Sequence, residues 1–137
     1  MSNAFPKHNL ETAPEKSKPL LKQLLEQSGP NGFYSVTAES PETLAAYAML
    51  HKAFMASSFT NEEKTVIWQS INVENECHFC VPAHTYMAKN MMIDKSVSDA
   101  FRDETALPSA RLEAIRDFTL LMLRNHGNAR EAEISKL

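Results

Sequence analysis

The sequence predicts an all-α protein, a helical bundle of about six helices. Three observations carry that prediction. Apolar residues recur at i, i+3, i+4 spacing in several stretches, which is the period of one helix face. Helix-start signals of the Ser/Thr/Asp type stand before these stretches again and again. Glycine is scarce, with only three residues, and no alternating β-branched run bounded by hairpin turns is present. A sheet has no sequence to build it.

Taken in order, residues 1–17 are polar and punctuated by proline, and read as an extended arm. Residues 18–27 carry Leu20, Leu21, Leu24 and Leu25 on one face and stop at Gly29-Pro30. Ser40-Pro41-Glu42 supplies an N-cap, a proline at the first helical position and an early acidic residue. The helix it opens bears the stripe Leu44, Tyr47, Ala48, His51, Phe54, Met55. Thr60-Asn61-Glu62-Glu63 is a capping box that starts a helix reaching about Asn72. The next helix begins between Cys77 and Cys80, because Pro82 is tolerated only in a first turn, and runs to about Asn90. Asp94 caps a short helix to Arg102. Leu107-Pro108-Ser109 opens a long one to Asn125, with Gly127 as its C′ residue. Apolar residues nearly encircle positions 118–123, which predicts a central place for this helix. Residues 129–137 begin a further helix. No repeat, low-complexity segment or linker interrupts the chain, so residues 1–137 read as one domain, long enough to bury a core.

Composition bounds the partners. With 43% hydrophobic and 23% charged residues and a net charge of −3, the chain is that of an ordinary soluble protein. Lysine and arginine are scattered, which leaves no footprint for nucleic acid. The longest apolar stretches, 44–50 and 118–123, are far too short to span a bilayer. Met1-Ser2-Asn3-Ala4-Phe5-Pro6 lacks the charged-then-apolar pattern of a secretory signal. The expected localisation is cytoplasmic, with no membrane partner. A permanent structural disulfide is not expected there, so catalytic or metal roles gain weight for the two cysteines.

Both cysteines fall in Cys77-His78-Phe79-Cys80-Val81-Pro82-Ala83-His84, a C-x-x-C pair with a histidine four residues after the second. Two thiols at this spacing can cycle between dithiol and disulfide. On a helix, Cys80 and His84 share one face a turn apart. Imidazole titrates near neutrality and can take the proton of a thiol. With Pro82 fixing the first turn, Cys80 lies near a helix N-terminus, where free amides and the macrodipole stabilise a thiolate. Cys80 then reads as the nucleophile and Cys77 as the thiol that attacks what forms on it. Other readings compete. A zinc site could use Cys77, Cys80 and His84, but it needs a fourth ligand. His78 adjoins Cys77, and His8, His51 and His126 lack motif-like spacing, so no metal site is expected. The pair can also be two buried core cysteines. A thioredoxin fold needs a βαβ context that the sequence lacks.

The segment Glu74-Asn75-Glu76-Cys77-His78-Phe79-Cys80-Val81-Pro82-Ala83-His84-Thr85 closely resembles the signature of alkyl hydroperoxidase D-like (AhpD-like) proteins, within the carboxymuconolactone decarboxylase superfamily. Ala13-Pro14, Lys18-Pro19-Leu20-Leu21, Ala38-Glu39-Ser40-Pro41 and Phe59-Thr60-Asn61-Glu62-Glu63 are similar to flanking family segments, in the same order. The resemblance implies an AhpD-like all-α fold, trimeric or hexameric assembly, and thiol-dependent reduction of a hydroperoxide with no cofactor. It implies a peroxidatic Cys80, a resolving Cys77 and His84 as base of a proton relay. A dithiol reductant follows, such as a lipoyl or thioredoxin-like protein. The family's relay usually includes a glutamate twelve residues before the first cysteine, where this sequence has Thr65. Threonine holds no charge to raise the basicity of His84. Glu62 lies one turn earlier, about 5 Å along the helix, and can substitute or can simply be a solvated capping-box residue. Glu74 matches a frequent acidic position of the motif and reads equally as a charge at a helix end. The missing glutamate leaves a second function open, a redox sensor or thiol–disulfide exchange protein built on the same pair. Phe79 is expected to wall the site, His78 to be an exposed neighbour, and His51, Trp68 and the methionines to fill core or interface.

Overall fold

A computed structural model describes residues 5–135, and among these residues all regular secondary structure is helical, without a strand. Residues 1–4 of the expected arm and 136–137 of the tail lie outside the described residues. The chain falls into two compact units. Met1–Ser57 holds α1 (Lys18–Ser28), α2 (Gly32–Thr37) and α3 (Pro41–Met55). Ser58–Leu137 holds α4 (Asn61–Glu74), α5 (Cys80–Asn90), α6 (Lys95–Arg102), α7 (Ala110–Arg124) and α8 (Glu131–Ile134).

In the first unit, residues 5–17 contain no helix and fold through turns. Asn9 Oδ1 accepts the backbone N–H groups of Glu11 and Thr12 at 2.8 and 2.9 Å, a local turn typical of asparagine. Ala13 and Ser17 are buried, and the Ser17 hydroxyl donates to the Ala38 carbonyl at 2.7 Å, which satisfies it inside. Ala13, Leu21, Ala38 and Leu44 form the core, with Leu20, Leu24, Leu25 and Tyr34 packed on it. The helix α2 escaped the periodicity argument because its six residues are too few to show a stripe. Its start is chemical: Asn31 Oδ1 accepts the Phe33 N–H at 2.9 Å. At α3 the predicted cap forms, with Ser40 Oγ accepting the Thr43 N–H at 3.2 Å. All six stripe residues are buried or half-buried, whereas Ala46, Met49, Leu50 and Ala53 face solvent.

In the second unit, α4 packs against α5, α6 and α7. Its capping box is complete: Glu63 N–H donates to Thr60 Oγ1 and Thr60 N–H donates to Glu63 Oε2. Val66, Val97, Ala100, Leu107 and Leu112 make the core, with Ile93, Phe101 and Ile115 against it. Asp94 and Ser109 cap α6 and α7 as the sequence predicts, accepting the N–H groups of Ser96 and Leu112. The end of α7 differs from expectation by one residue. His126 takes the left-handed C′ place (φ 52°), and Gly127 (φ 80°) follows it, its N–H donating to the Met122 carbonyl at 2.8 Å. The second half of α7 is not central either. Leu112 is its one fully buried residue and Phe118 remains 43% exposed. Apolar residues on several faces need neighbours on several sides, and within this unit α4 is the main one. No helix among the described residues is long and apolar enough to cross a membrane.

Candidate functional site

The chain leaves α4 through Asn75 and Glu76, the latter in the left-handed region (φ 49°), and turns directly into the motif. Cys77 N–H donates to the Asn72 carbonyl at 2.9 Å, which ties the first cysteine to the end of α4. Val81 N–H donates to the Cys77 carbonyl at 3.1 Å, which closes a turn leading into α5. Within that turn Cys77 and Cys80 are joined as a disulfide, with Cα atoms 5.2 Å apart. Pro82 falls in the first turn, where a missing N–H costs no helical bond.

One hydrogen bond refines the electrostatics. Cys80 N–H donates to Cys77 Sγ at 3.2 Å. The Cys77 sulfur thus accepts the first backbone N–H of α5. The sequence reading put amide stabilisation at a Cys80 thiolate; in the disulfide the Cys80 N–H faces Cys77 Sγ. Cys80 lies inside the same first turn, where the helix dipole still acts. Both cysteines are half-buried.

His84 sits on the next turn of α5 and is half-buried. Its ring lies 4.8 Å from that of Trp68 on α4, the planes tilted by 45°. The sequence reading gave Trp68 a filling role; nothing in the spacing of the two residues announces the pairing. Phe79, expected to wall the site, is 54% exposed. His78 is exposed, as expected.

The three relay candidates all lie on α4 and are held differently. Thr65 is buried, and its hydroxyl donates to the Asn61 carbonyl of its own helix at 2.9 Å. Glu62 is half-buried in the first turn of α4. Glu74 forms a two-pronged bond with Arg124, at 2.6 and 2.8 Å, joining the end of α4 to α7. The Arg124 hydrogen bonds hold the Glu74 carboxyl below the usual carboxylate range. No three His, Cys, Asp or Glu side chains gather as metal ligands among the described residues.

Sequence reasoning passed over a buried amide pair beneath the motif. Gln69 Nε2 donates to the Val81 carbonyl at 3.2 Å and to Thr85 Oγ1 at 2.9 Å. Asn72 Nδ2 donates to Gln69 Oε1 at 3.2 Å, and Thr85 Oγ1 donates to Val81 O at 2.8 Å. Both amides are buried, Gln69 at 1% exposure. A carbonyl only accepts, so Val81 O fixes which end of the Gln69 amide faces α5. A polar residue at an otherwise buried position of α4 was the available signal.

His51 lies elsewhere, in the first unit, beside a half-open cleft of about 510 Å³ lined also by Leu24, Tyr34 and Tyr47. It stacks on Tyr47 at 6.1 Å, and burial pushes its imidazole below the ordinary value.

Comparison with protein-family models and with curated proteins returned no match. The motif geometry and the residues of the resemblance carry the functional reading.

Proposed function

We propose that this protein is a thiol-dependent peroxidase of the alkyl hydroperoxidase D kind, which reduces hydroperoxides through Cys80, Cys77 and His84. The observation that carries the reading is the Cys77–Cys80 pair closed across the turn that enters α5, with the His84 imidazole one helical turn after Cys80. His84 takes the proton of Cys80. The Cys80 thiolate attacks the terminal peroxide oxygen, the O–O bond breaks, and the alkoxide leaves with the proton returned from His84. Cys80 is now a sulfenic acid. Cys77 attacks its sulfur, the S–S bond forms and water leaves. An external dithiol then attacks Cys80 Sγ and expels Cys77 as a thiolate, which the Cys80 amide stabilises, and its second thiol attacks the mixed disulfide and releases Cys80. The net change is hydroperoxide plus dithiol to alcohol, water and disulfide.

The resemblance extends the proposal to a lipoyl or thioredoxin-like reductant, a homotrimer or homohexamer, and the cytoplasm. Stopped-flow mixing of the reduced protein with cumene hydroperoxide and dihydrolipoamide tests it. Turnover is expected in the wild type and absent in Cys80→Ser; turnover surviving that substitution ends the proposal.

A second reading is favoured by the commitments of Thr65 and Glu74 elsewhere, to Asn61 and Arg124. A relay with Thr65 in place of the family's usual glutamate suits a redox sensor, or a thiol–disulfide exchange protein, better than a fast peroxidase. In that case peroxide oxidises the pair and changes the oligomer or partner, with negligible turnover. Equal elution volumes and pull-downs for the two redox forms count against it.

A further inference from the structure

The redox turn is held at both ends by neighbouring residues of one helix. At its start, Cys77 N–H donates to the Asn72 carbonyl. At its end, the Val81 carbonyl accepts from Gln69 Nε2 and from Thr85 Oγ1. The two anchors are themselves joined, Asn72 Nδ2 to Gln69 Oε1. We propose that Gln69, braced by Asn72, is a positioning residue that sets the reduction potential of the Cys77–Cys80 pair by holding the turn from Cys77 to Val81 closed in the dithiol form as well as in the disulfide. The inference rests on the proposed reading only in taking the pair to be redox-active.

The argument is one of effective concentration. Closing a disulfide costs the freedom of the two thiols, and a turn already pinned at both ends has little left to lose. None of the four hydrogen bonds uses a sulfur atom, so reduction leaves all of them able to persist. The buried amide of Gln69 also has a strong reason to keep its bonds, since water does not replace them. Freeing the Val81 end lets the turn relax once reduced, which lowers the effective concentration of one thiol at the other. The disulfide then becomes easier to reduce.

The full chain is equilibrated with graded ratios of reduced and oxidised dithiothreitol near pH 7, then alkylated and weighed by mass spectrometry. Gln69→Leu is expected to shift the thiol–disulfide equilibrium about tenfold toward the dithiol, equivalent to about 30 mV for this two-electron couple. Ser70→Ala is the control: that hydroxyl is equally buried on α4 but bonds only to the Val66 carbonyl of its own helix. It is expected to leave the equilibrium unchanged. A folded Gln69→Leu protein with the wild-type equilibrium overturns the proposal, and so does an equal shift in Ser70→Ala. If Gln69→Leu does not fold, Thr85→Val decides: it removes one partner of the Gln69 amide and one donor to Val81. A shift toward the dithiol supports the clamp, and no shift ends it. No peroxide enters the assay. A wild-type pair that equilibrates reversibly without peroxide turnover therefore defeats the peroxidase reading alone.

Discussion

α3 and α4 are neighbours in sequence and opposites in how they are buried. α3 is apolar on most of its surface, with Glu42, His51 and Lys52 its titratable or charged residues besides Tyr47, yet Leu44 is its one fully buried side chain. α4 is much more polar and buries Glu63, Lys64, Thr65, Val66, Gln69, Ser70 and Asn72. Apolar area holds a helix without direction. Hydrogen bonds hold it in one register, because each bond fits one alignment only. Across to other helices, Glu63 bonds to Arg111 of α7 and Gln69 to Val81 and Thr85 of α5. The helix that carries the cysteine turn thus adds hydrogen-bonded polar groups to the apolar core of its unit.

Truncation in the apolar helix puts that contrast under the greatest load. Leu44→Ala is expected to cost about 2–5 kcal/mol, the usual range for a buried leucine whose cavity closes incompletely. Urea unfolding measures it. The dithiothreitol equilibrium of Cys77 and Cys80 should stay at its wild-type value in the folded variant. A changed equilibrium would mean that α3 also governs the redox turn, and the division of labour would fail.

On the polar helix, Thr60→Ala is expected to cost about 1 kcal/mol, the typical value of an N-cap, since it removes the acceptor of the Glu63 N–H. The same urea titration reads it. A loss no larger than that of an exposed-residue control would show that the box contributes nothing in this setting.

These comparisons also show what was legible in the sequence. Helix starts were, because caps are local: Ser40, Thr60, Asp94 and Ser109 each accept a backbone N–H two or three residues ahead. The pairing of Cys77 with Cys80 was legible because it depends on spacing within one turn. Lost were features set by tertiary partners. Glu74 was visible as an acidic residue, but its partner Arg124 lies fifty residues away. Trp68 and Gln69 each reach α5 across a helix interface, and a single sequence does not carry that register. α2 was lost for a different reason, being too short for a period to show.

Acid probes the ion pair at the end of α4. Arg124 holds Glu74 below the usual carboxylate range, as Arg111 and the Thr60 amide do for Glu63. A depressed folded-state value gives stability that is present at neutral pH and lost as pH falls through it. The difference in urea midpoint between wild type and Glu74→Gln should therefore be largest near neutrality and shrink once pH drops below about 4. A difference that is constant across this window would show that the substitution acts through packing rather than charge.

The smallest expected effect bears hardest on the comparison. Met49 and Leu50 project from α3 at 73% and 70% exposure. An exposed side chain has little burial to lose, so Met49→Ser and Leu50→Ser should each change stability by less than about 0.5 kcal/mol. If either costs as much as a buried residue, α3 is not the loosely held helix described above, and something in solution covers its outer face. Protein concentration then identifies the cover. A second copy of the chain makes the unfolding midpoint rise with concentration through mass action, whereas cover from within the chain leaves it fixed. A concentration-independent midpoint with near-silent serine substitutions would leave α4 as the helix whose burial is complete in one chain.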